Sequence, residues 1–183
     1  MGCNIKWGRN SSNDVSEIRF IMLGLDNSGK SSIMCRFKSI EPTAVTPTVG
    51  LSIEHITRNN TPVTIWDVGG QATMLWKHYY QNTQAVIFVV DSADKSKMAN
   101  AKSELFKLLD ESSLSVCPIL IYCNKQDLPN ALNLEQIKQE LDYDKINRKN
   151  KSIQLCSALK NEGILEGFDK LIKYIIKDDS KLK

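Results

Sequence analysis

The residues of this chain that are best suited to chemistry lie together at positions 24–31. They read G-L-D-N-S-G-K-S and fit the pattern G-x-x-x-x-G-K-[ST]. The apolar run at 18–23 predicts a strand, and residues 32–37 predict the start of a helix. A glycine-rich turn between a strand and a helix holds the phosphates of a nucleotide on backbone N–H groups. We therefore expect a nucleotide to contact Gly24, Leu25, Asp26, Asn27, Ser28, Gly29, Lys30, Ser31 and Ser32.

A second polar cluster, W-D-V-G-G-Q at residues 66–71, ends another predicted strand. Asp67 can reach a Mg²⁺ ion through a water molecule, and Ser31 can offer its hydroxyl directly to the same ion. Gly70 can bring a backbone N–H against a γ-phosphate because glycine allows close approach of the chain. Gln71 can orient an attacking water. Without the preceding phosphate loop, these residues would indicate only a turn after a strand.

Thr48 lies in the sequence P-T-V-G, within a loop that precedes two strands. Its hydroxyl would bind Mg²⁺ only when a γ-phosphate draws the loop in, so this loop would sense the nucleotide state. An ordinary turn residue is the alternative interpretation. The loop at 39–47 contains no arginine, so no internal arginine finger is evident there.

The sequence N-K-Q-D at residues 124–127 follows a continuous apolar run. The carboxylate of Asp127 can accept two hydrogen bonds from N1 and N2 of guanine, a pair of donors that adenine lacks. A site built for such bonds rejects an analogue without them by roughly 10⁴–10⁵. Asn124 would hold the loop and meet the other edge of the base, and the stem of Lys125 would pack on it.

The tripeptide C-S-A at residues 156–158 follows the last predicted strand. Ser157 and Ala158 should lie at the same edge of the sheet, because ligands of open α/β sheets bind outside the carboxyl ends of the strands. The N–H of Ala158 would then meet the carbonyl oxygen of guanine. Only the position of this tripeptide in the chain gives it that meaning.

Apolar strand-like runs alternate with segments of helical spacing along the chain. Strands at 51–57 and 62–68 should pair antiparallel across the turn Asn59–Asn60, and the other strands have the composition of buried parallel strands. We predict a doubly wound α/β fold with six strands, one of them antiparallel, and helices on both faces. One domain should span residues 17–179, between an N-terminal segment at 1–16 and a tail at 180–183.

Length and composition are those of one soluble globular domain of 183 residues. The net charge of +3 is too small to indicate nucleic acid as a partner, and no apolar stretch is long enough to span a membrane. The five cysteines form no C-x-x-C pair, so we expect reduced cysteines in a cytosolic protein.

With these motifs in this order, the chain resembles the ADP-ribosylation-factor and ADP-ribosylation-factor-like small GTPases. The similarity runs from about Phe20 to Ile176 and includes W-D-V-G-G-Q, L-W-K-H-Y-Y, N-K-Q-D-L-P-N-A and E-G-I-L-E-G-F. The resemblance implies a P-loop GTPase (Ras-like) fold, GTP or GDP and Mg²⁺ as ligands, and slow hydrolysis of GTP. Lys30 and Gln71 would be the catalytic residues, and Ser31 and Thr48 the direct metal ligands.

The resemblance also implies a monomeric switch in membrane and vesicle trafficking, located in the cytoplasm and peripherally on a Golgi or other endomembrane. Its partners would be exchange factors, GTPase-activating proteins and effectors, the last of which would read Leu51, Trp66 and Tyr79. In this family the hairpin between the switch loops changes register with GTP and ejects an N-terminal segment. Two departures from the family stand out: Leu51 replaces an aromatic residue, and the segment after Gln71 is about two residues shorter.

The N-terminal sequence G-C-N-I-K offers Gly2 for myristoylation, although Lys6 stands where Ser or Thr is preferred. One myristoyl chain gives only marginal membrane binding, so a second signal is expected. Palmitoylation of Cys3 is a candidate, and an unmodified thiol is the alternative.

Two other functions are compatible with a phosphate loop. A P-loop kinase would need a lid with arginines and a second substrate pocket, which the sequence does not reveal. A scaffold that binds GTP and hydrolyses almost none of it is the second alternative. The shortened segment after Gln71, which corresponds to the second switch loop, keeps this alternative open.

Overall fold

Strands and helices alternate along the computed structural model, which describes residues 17–42, 48–71 and 73–179. The strands are β1 (Ile18–Leu23), β2 (Leu51–Arg58), β3 (Thr61–Val68), β4 (Ala85–Asp91), β5 (Ile119–Asn124) and β6 (Lys151–Leu155). The α-helices are α1 (Lys30–Phe37), α2 (Met98–Leu109), α3 (Leu134–Glu140) and α4 (Ile164–Asp179). The predicted N-terminal segment and tail, with Gly2 and Cys3, lie outside the described residues.

The six strands form one sheet in the order β2-β3-β1-β4-β5-β6. β2 and β3 pair antiparallel, and every other neighbouring pair is parallel. The hairpin turns at Asn59 and Asn60, whose φ angles of 50° and 58° fit a type I′ turn. The predicted mixed sheet with one antiparallel strand is therefore confirmed.

Alternate side chains of the central strands enter two separate cores. Ile21 of β1 and Phe88 of β4 belong to the core under α2 and α3, whereas Phe20 and Ile87 belong to the core under α1 and α4. Because successive side chains of a strand point to opposite faces, both faces of these strands are apolar and both need helices as cover. Helices on both faces are thus confirmed, as predicted.

Element boundaries differ from the prediction where turns decide them. α1 begins at Lys30 rather than at residue 32, because Gly29 adopts φ +91° as its N-cap and lets the helix start immediately. A 3₁₀ helix, Thr73–Tyr79, follows the second polar cluster. Among the described residues, no helix combines the length and apolar character needed to cross a membrane.

Candidate functional site

The predicted site residues meet at the carboxyl edge of the sheet, where β1 lies between β3 and β4. This edge is the usual ligand position in open α/β sheets. A cavity of about 300 Å³ opens there. It is lined by Asp26, Asn27, Gly29, Lys30, Ser31, Ser32, Thr48, Gly69, Gly70 and Gln71.

The phosphate loop is held tightly against its neighbours, and two glycines make this possible. A Cβ on Gly24 would lie 2.3 Å from the carbonyl oxygen of Val89, and one on Gly29 would lie 2.2 Å from Nδ2 of Asn124. Both glycines also have positive φ, +146° and +91°. Any larger residue at either position would move the loop away from the sheet.

Lys30 brings a buried ammonium to the floor of this cavity. Its Nζ donates to the carbonyl oxygens of Gly24 at 2.8 Å and Leu25 at 3.1 Å. Burial lowers the pKa of Lys30, and the nearby carboxylates of Asp67 and Asp26 oppose that shift. No side chain caps the N-terminus of α1, so its first amides remain available to an anion.

Three oxygen-bearing side chains converge beside Lys30. Ser31 Oγ lies 2.8 Å from Thr48 Oγ1 and 3.0 Å from Asp67 Oδ2. Thr48 Oγ1 donates to the same carboxylate oxygen at 3.3 Å. The Thr48 hydroxyl therefore lies beside Ser31 and Asp67, and its dependence on the nucleotide state stays a prediction.

Asp67 is a buried carboxylate with the properties expected of a cation-binding group. It is 1% exposed, and its Oδ1 has no hydrogen-bond partner. Burial raises its pKa, although Lys30 and the hydroxyls of Ser31 and Thr48 favour the charged form. Hydroxyls and one carboxylate suit Mg²⁺, which takes few protein ligands and completes its shell with phosphates and water. Within the described residues, no group of three His, Cys, Asp or Glu side chains could hold a metal by itself.

Gly70 and Gln71 close the cavity from the side of β3. A Cβ on Gly70 would lie 2.4 Å from the backbone nitrogen of Asp26, so this backbone rests directly on the phosphate loop. The neighbouring Gly69 accepts a 3.1 Å hydrogen bond from Nε1 of the buried Trp76. Gln71 is exposed and lines the same cavity.

Asn124 links the phosphate loop to the predicted base site. It is 2% exposed. Its Nδ2 donates to the carbonyl oxygen of Ser28 at 3.0 Å, and its Oδ1 accepts from the N–H of Ala158 at 3.0 Å. The predicted loop-holding role of Asn124 matches this geometry. The N–H of Ala158 is paired with Asn124 here, and its contact with guanine stays a prediction.

The remaining base-site residues are held by their own network. Asp127 Oδ1 accepts from Ser157 Oγ at 2.6 Å, and Ser157 is fully buried. Lys125 adopts a left-handed φ of 67° and pairs with Asp91 at 2.6 Å. This ion pair fixes the lysine stem at the edge of the sheet, where the sequence predicted that it would pack on a base.

The predicted effector residues lie together on the β2–β3 side. The rings of Trp66 and Tyr79 are 6.2 Å apart. Arg19 lies 3.6 Å from the Trp66 ring and donates to the carbonyl oxygen of Tyr79 at 2.9 Å. Leu51 begins β2 and is half-buried. Val49, beside it, is 90% exposed.

Two charged residues at the site had not been predicted. Lys97 Nζ contacts Asp26 Oδ2 at 3.0 Å, and Arg36 contacts the loop that contains Ala158. Each pair is distant in sequence and carries no local motif. A buried arginine in the last turn of a short helix was the only available signal.

Comparison with known proteins agrees with this geometry. The sequence profile of the ADP-ribosylation factor family matches residues 7–175. ADP-ribosylation factors J and K of Dictyostelium discoideum are 43% and 42% identical over 155 residues, which is 84% of this chain and 82% of each relative. The Arl6 BBS3 small GTPase of Trypanosoma brucei, solved with the nucleotide analogue GppNp, superposes with a TM-score of 0.82 at 31% identity, covering 88% of this chain and 99% of that one. The chain therefore belongs to the ADP-ribosylation factor family of small GTPases, which are GTP-binding switches.

Proposed function

We propose that this protein cycles between GDP and GTP forms, hydrolyses GTP slowly and recruits effectors to a membrane surface during trafficking. One observation carries the proposal: the phosphate loop, the Ser31–Thr48–Asp67 oxygens and the Asn124–Asp127 segment share one edge of the sheet. A triphosphate, its metal and a guanine base need these three parts in that order.

Each part has a defined task in this proposal. Lys30 exchanges its two carbonyl partners for the β- and γ-phosphates. Ser31 and Thr48 would hold Mg²⁺ directly, and Asp67 would hold it through water. The ion would supply positive charge to the phosphates. Gln71 orients the attacking water beside the amide of Gly70.

Turnover without a partner should be slow. The loop at 39–47 contains no arginine, and switches of this kind without an internal finger turn over at about 10⁻⁴ s⁻¹. We expect an activating protein to provide the missing cation, and exchange factors and effectors to act at the switch loops and at Leu51, Trp66 and Tyr79.

Membrane attachment belongs to the same proposal. Myristoylation of Gly2 together with palmitoylation of Cys3 would give two anchors, which stable binding requires. The β2–β3 hairpin would couple nucleotide state to the N-terminal segment. Mass measurement of the mature N-terminus and localisation of a Gly2→Ala variant, on Golgi or other endomembranes or in the cytosol, test this part.

Calorimetric titration with GTP, GDP and ATP in magnesium buffer tests the central claim. We expect tight binding of both guanine nucleotides and none of ATP at the same concentrations. Equal affinity for ATP would instead favour a P-loop kinase. Phosphate release with and without an activating protein then separates a GTPase from a GTP-binding scaffold, which the short second switch loop keeps as the second candidate.

A further inference from the structure

Arg36 is a buried charge that contacts two separate segments near the nucleotide site, the loop that contains Ala158 and the segment that follows α1. It lies in the last turn of α1, and its side chain is only 6% exposed. Nε donates to the carbonyl oxygen of Ala158 at 2.7 Å, and Nη2 donates to that of Leu159 at 2.7 Å. Nη1 donates to Oε1 of Glu41 at 2.6 Å.

The loop that Arg36 holds is the one predicted to contact guanine. Ser157 and Glu162 exchange two backbone hydrogen bonds, of 3.0 and 3.1 Å, and so close the loop at its base. Within that loop, Ala158 is held from two sides, because Asn124 accepts its N–H and Arg36 donates to its carbonyl. The position of the Ala158 amide therefore depends on α1 as well as on the sheet.

Glu41 connects the same guanidinium to the start of the loop that runs from residue 39 to Thr48, here called the first switch loop. It follows α1 by four residues and precedes Thr48 by seven. Its side chain is 74% exposed, so solvent or a bound protein can reach it. The planar guanidinium of Arg36 donates hydrogen bonds to two carbonyl oxygens and one carboxylate oxygen. A lysine ammonium cannot reproduce this arrangement.

We propose that Arg36 is a positioning residue that couples the first switch loop to the guanine-binding loop and thereby sets the rate of nucleotide release. Displacement of Glu41 with the switch loop removes one of the three contacts that fix Arg36. The guanidinium then holds Ala158 and Leu159 less firmly, and the guanine-binding loop opens more often. This inference rests on the proposed function, because it concerns release of the same nucleotide.

The test measures dissociation of fluorescently labelled GDP in magnesium buffer. Arg36→Met should release GDP on the order of tenfold faster, because this factor corresponds to the loss of one hydrogen bond to a charged group. Arg36→Lys should lie close to Arg36→Met, since charge alone does not hold both carbonyls. Glu41→Gln should release GDP about threefold faster, as expected for an exposed ion pair. Adding it to Arg36→Met should change nothing further, because the two residues act as a unit.

A second ligand separates positioning from general loosening. A GDP analogue with a 6-thioguanine base keeps the N1–H and the C2 amine, and it replaces the carbonyl oxygen by sulfur, a weaker hydrogen-bond acceptor. Arg36→Met should accelerate release of GDP more than release of this analogue, because the Ala158 amide is proposed to donate to the guanine carbonyl oxygen. Equal acceleration of both ligands would overturn the inference.

Arg148 provides a matched control on the opposite edge of the sheet. It donates to the carbonyl oxygens of Leu114 at 2.9 Å and Leu109 at 2.6 Å, far from the site. Arg148→Met should lower the thermal midpoint and leave GDP release unchanged. Three results would each overturn the inference. The first is a wild-type release rate in both Arg36 variants, and the second is a wild-type release rate in Glu41→Gln. The third is an effect of Arg148→Met on GDP release as large as that of Arg36→Met. Should Arg36→Met not fold, Arg36→Lys and Glu41→Gln still decide it. If the wild-type protein binds no guanine nucleotide, the proposed function itself fails before any variant is compared.

Discussion

Asp67→Asn should stabilise the metal-free protein and weaken the magnesium-bound one. Asp67 is a buried carboxylate with one oxygen that has no partner and one that accepts from Ser31 and Thr48. Its charge is compensated only in part, by the ammonium of Lys30. Without magnesium this carboxylate destabilises the folded protein, whereas with magnesium it stabilises the bound form.

The size of the effect follows from these contacts. A buried polar group without a partner costs about 1–3 kcal/mol, and more when it is charged. Asparagine keeps the shape and an oxygen for the hydroxyls of Ser31 and Thr48, and it loses the attraction to Lys30. We therefore expect Asp67→Asn to raise the free energy of unfolding by about 1–2 kcal/mol in EDTA. Loss of an outer-shell partner should weaken magnesium binding by about 10- to 100-fold.

The assay is urea unfolding in EDTA, repeated with magnesium and a non-hydrolysable GTP analogue. Asp110→Asn, at an exposed aspartate after α2, controls for the change in net charge. We expect the order of stability between wild type and Asp67→Asn to reverse between the two buffers. A variant that is less stable than wild type in EDTA would refute the reasoning, because the carboxylate would then be satisfied without a metal.

The pH dependence has a definite sign. Burial raises the folded-state pKa of Asp67, so the folded protein binds its proton more tightly than the unfolded chain does. The penalty of this carboxylate is therefore complete above the folded-state pKa. It disappears as pH falls toward the ordinary aspartate value of about 3.9. In EDTA, the advantage of Asp67→Asn should be largest at neutral pH and should shrink on acidification.

Three further outcomes test other parts of the site. Gln71→Leu should slow stimulated GTP hydrolysis by at least about 100-fold with little change in GTP affinity, and an unchanged rate of phosphate release would remove Gln71 from the mechanism. Asp127→Asn should lose GTP affinity by about 10³-fold or more and gain affinity for xanthosine triphosphate, whose C2 oxygen accepts from the new amide; a competition assay measures both. Lys97→Met leaves the carboxylate of Asp26 without its ion-pair partner at the phosphate cavity. This negative charge should repel GTP more than GDP, so GTP affinity should fall about threefold more than GDP affinity. Lys95→Met, which removes an ion pair with Glu140, should change neither affinity.

The candidate site residues could be brought to one edge of the sheet from the sequence alone because they follow strands. Asp67 and Asn124 each come at the end of an apolar run, and the carboxyl ends of parallel strands meet at one edge. The antiparallel hairpin at Asn59 also follows from a local pattern, whereas the order of the strands in the sheet was not predicted. Periodicity and turn chemistry are properties of short segments, so a single sequence contains them.

Contacts between side chains of distant elements were not accessible in this way. Arg36 meets Ala158 across 122 residues, and Lys97 meets Asp26 across 71. Both contacts depend on how α1 and the start of α2 pack on the sheet, which is decided by core side chains far from the charges. The start of α1 was misplaced for a local reason, because the left-handed conformation of Gly29 removes the need for a separate capping turn.

The shortened second switch loop acquires a physical meaning from its two anchors. The backbone of Gly70 packs against the phosphate loop. The buried Trp76 donates a hydrogen bond to the carbonyl oxygen of Gly69. The segment between them contains Gln71 and the first residues of a 3₁₀ helix that begins at Thr73. In the proposed function, these two anchors would limit how far the backbone of Gln71 can move, and the shortening that the family resemblance implies would limit it further. The Gln71 side chain would then reach the attacking water by rotating about its own bonds. Its proposed catalytic contribution would depend on where Gly70 holds the backbone rather than on rearrangement of the loop.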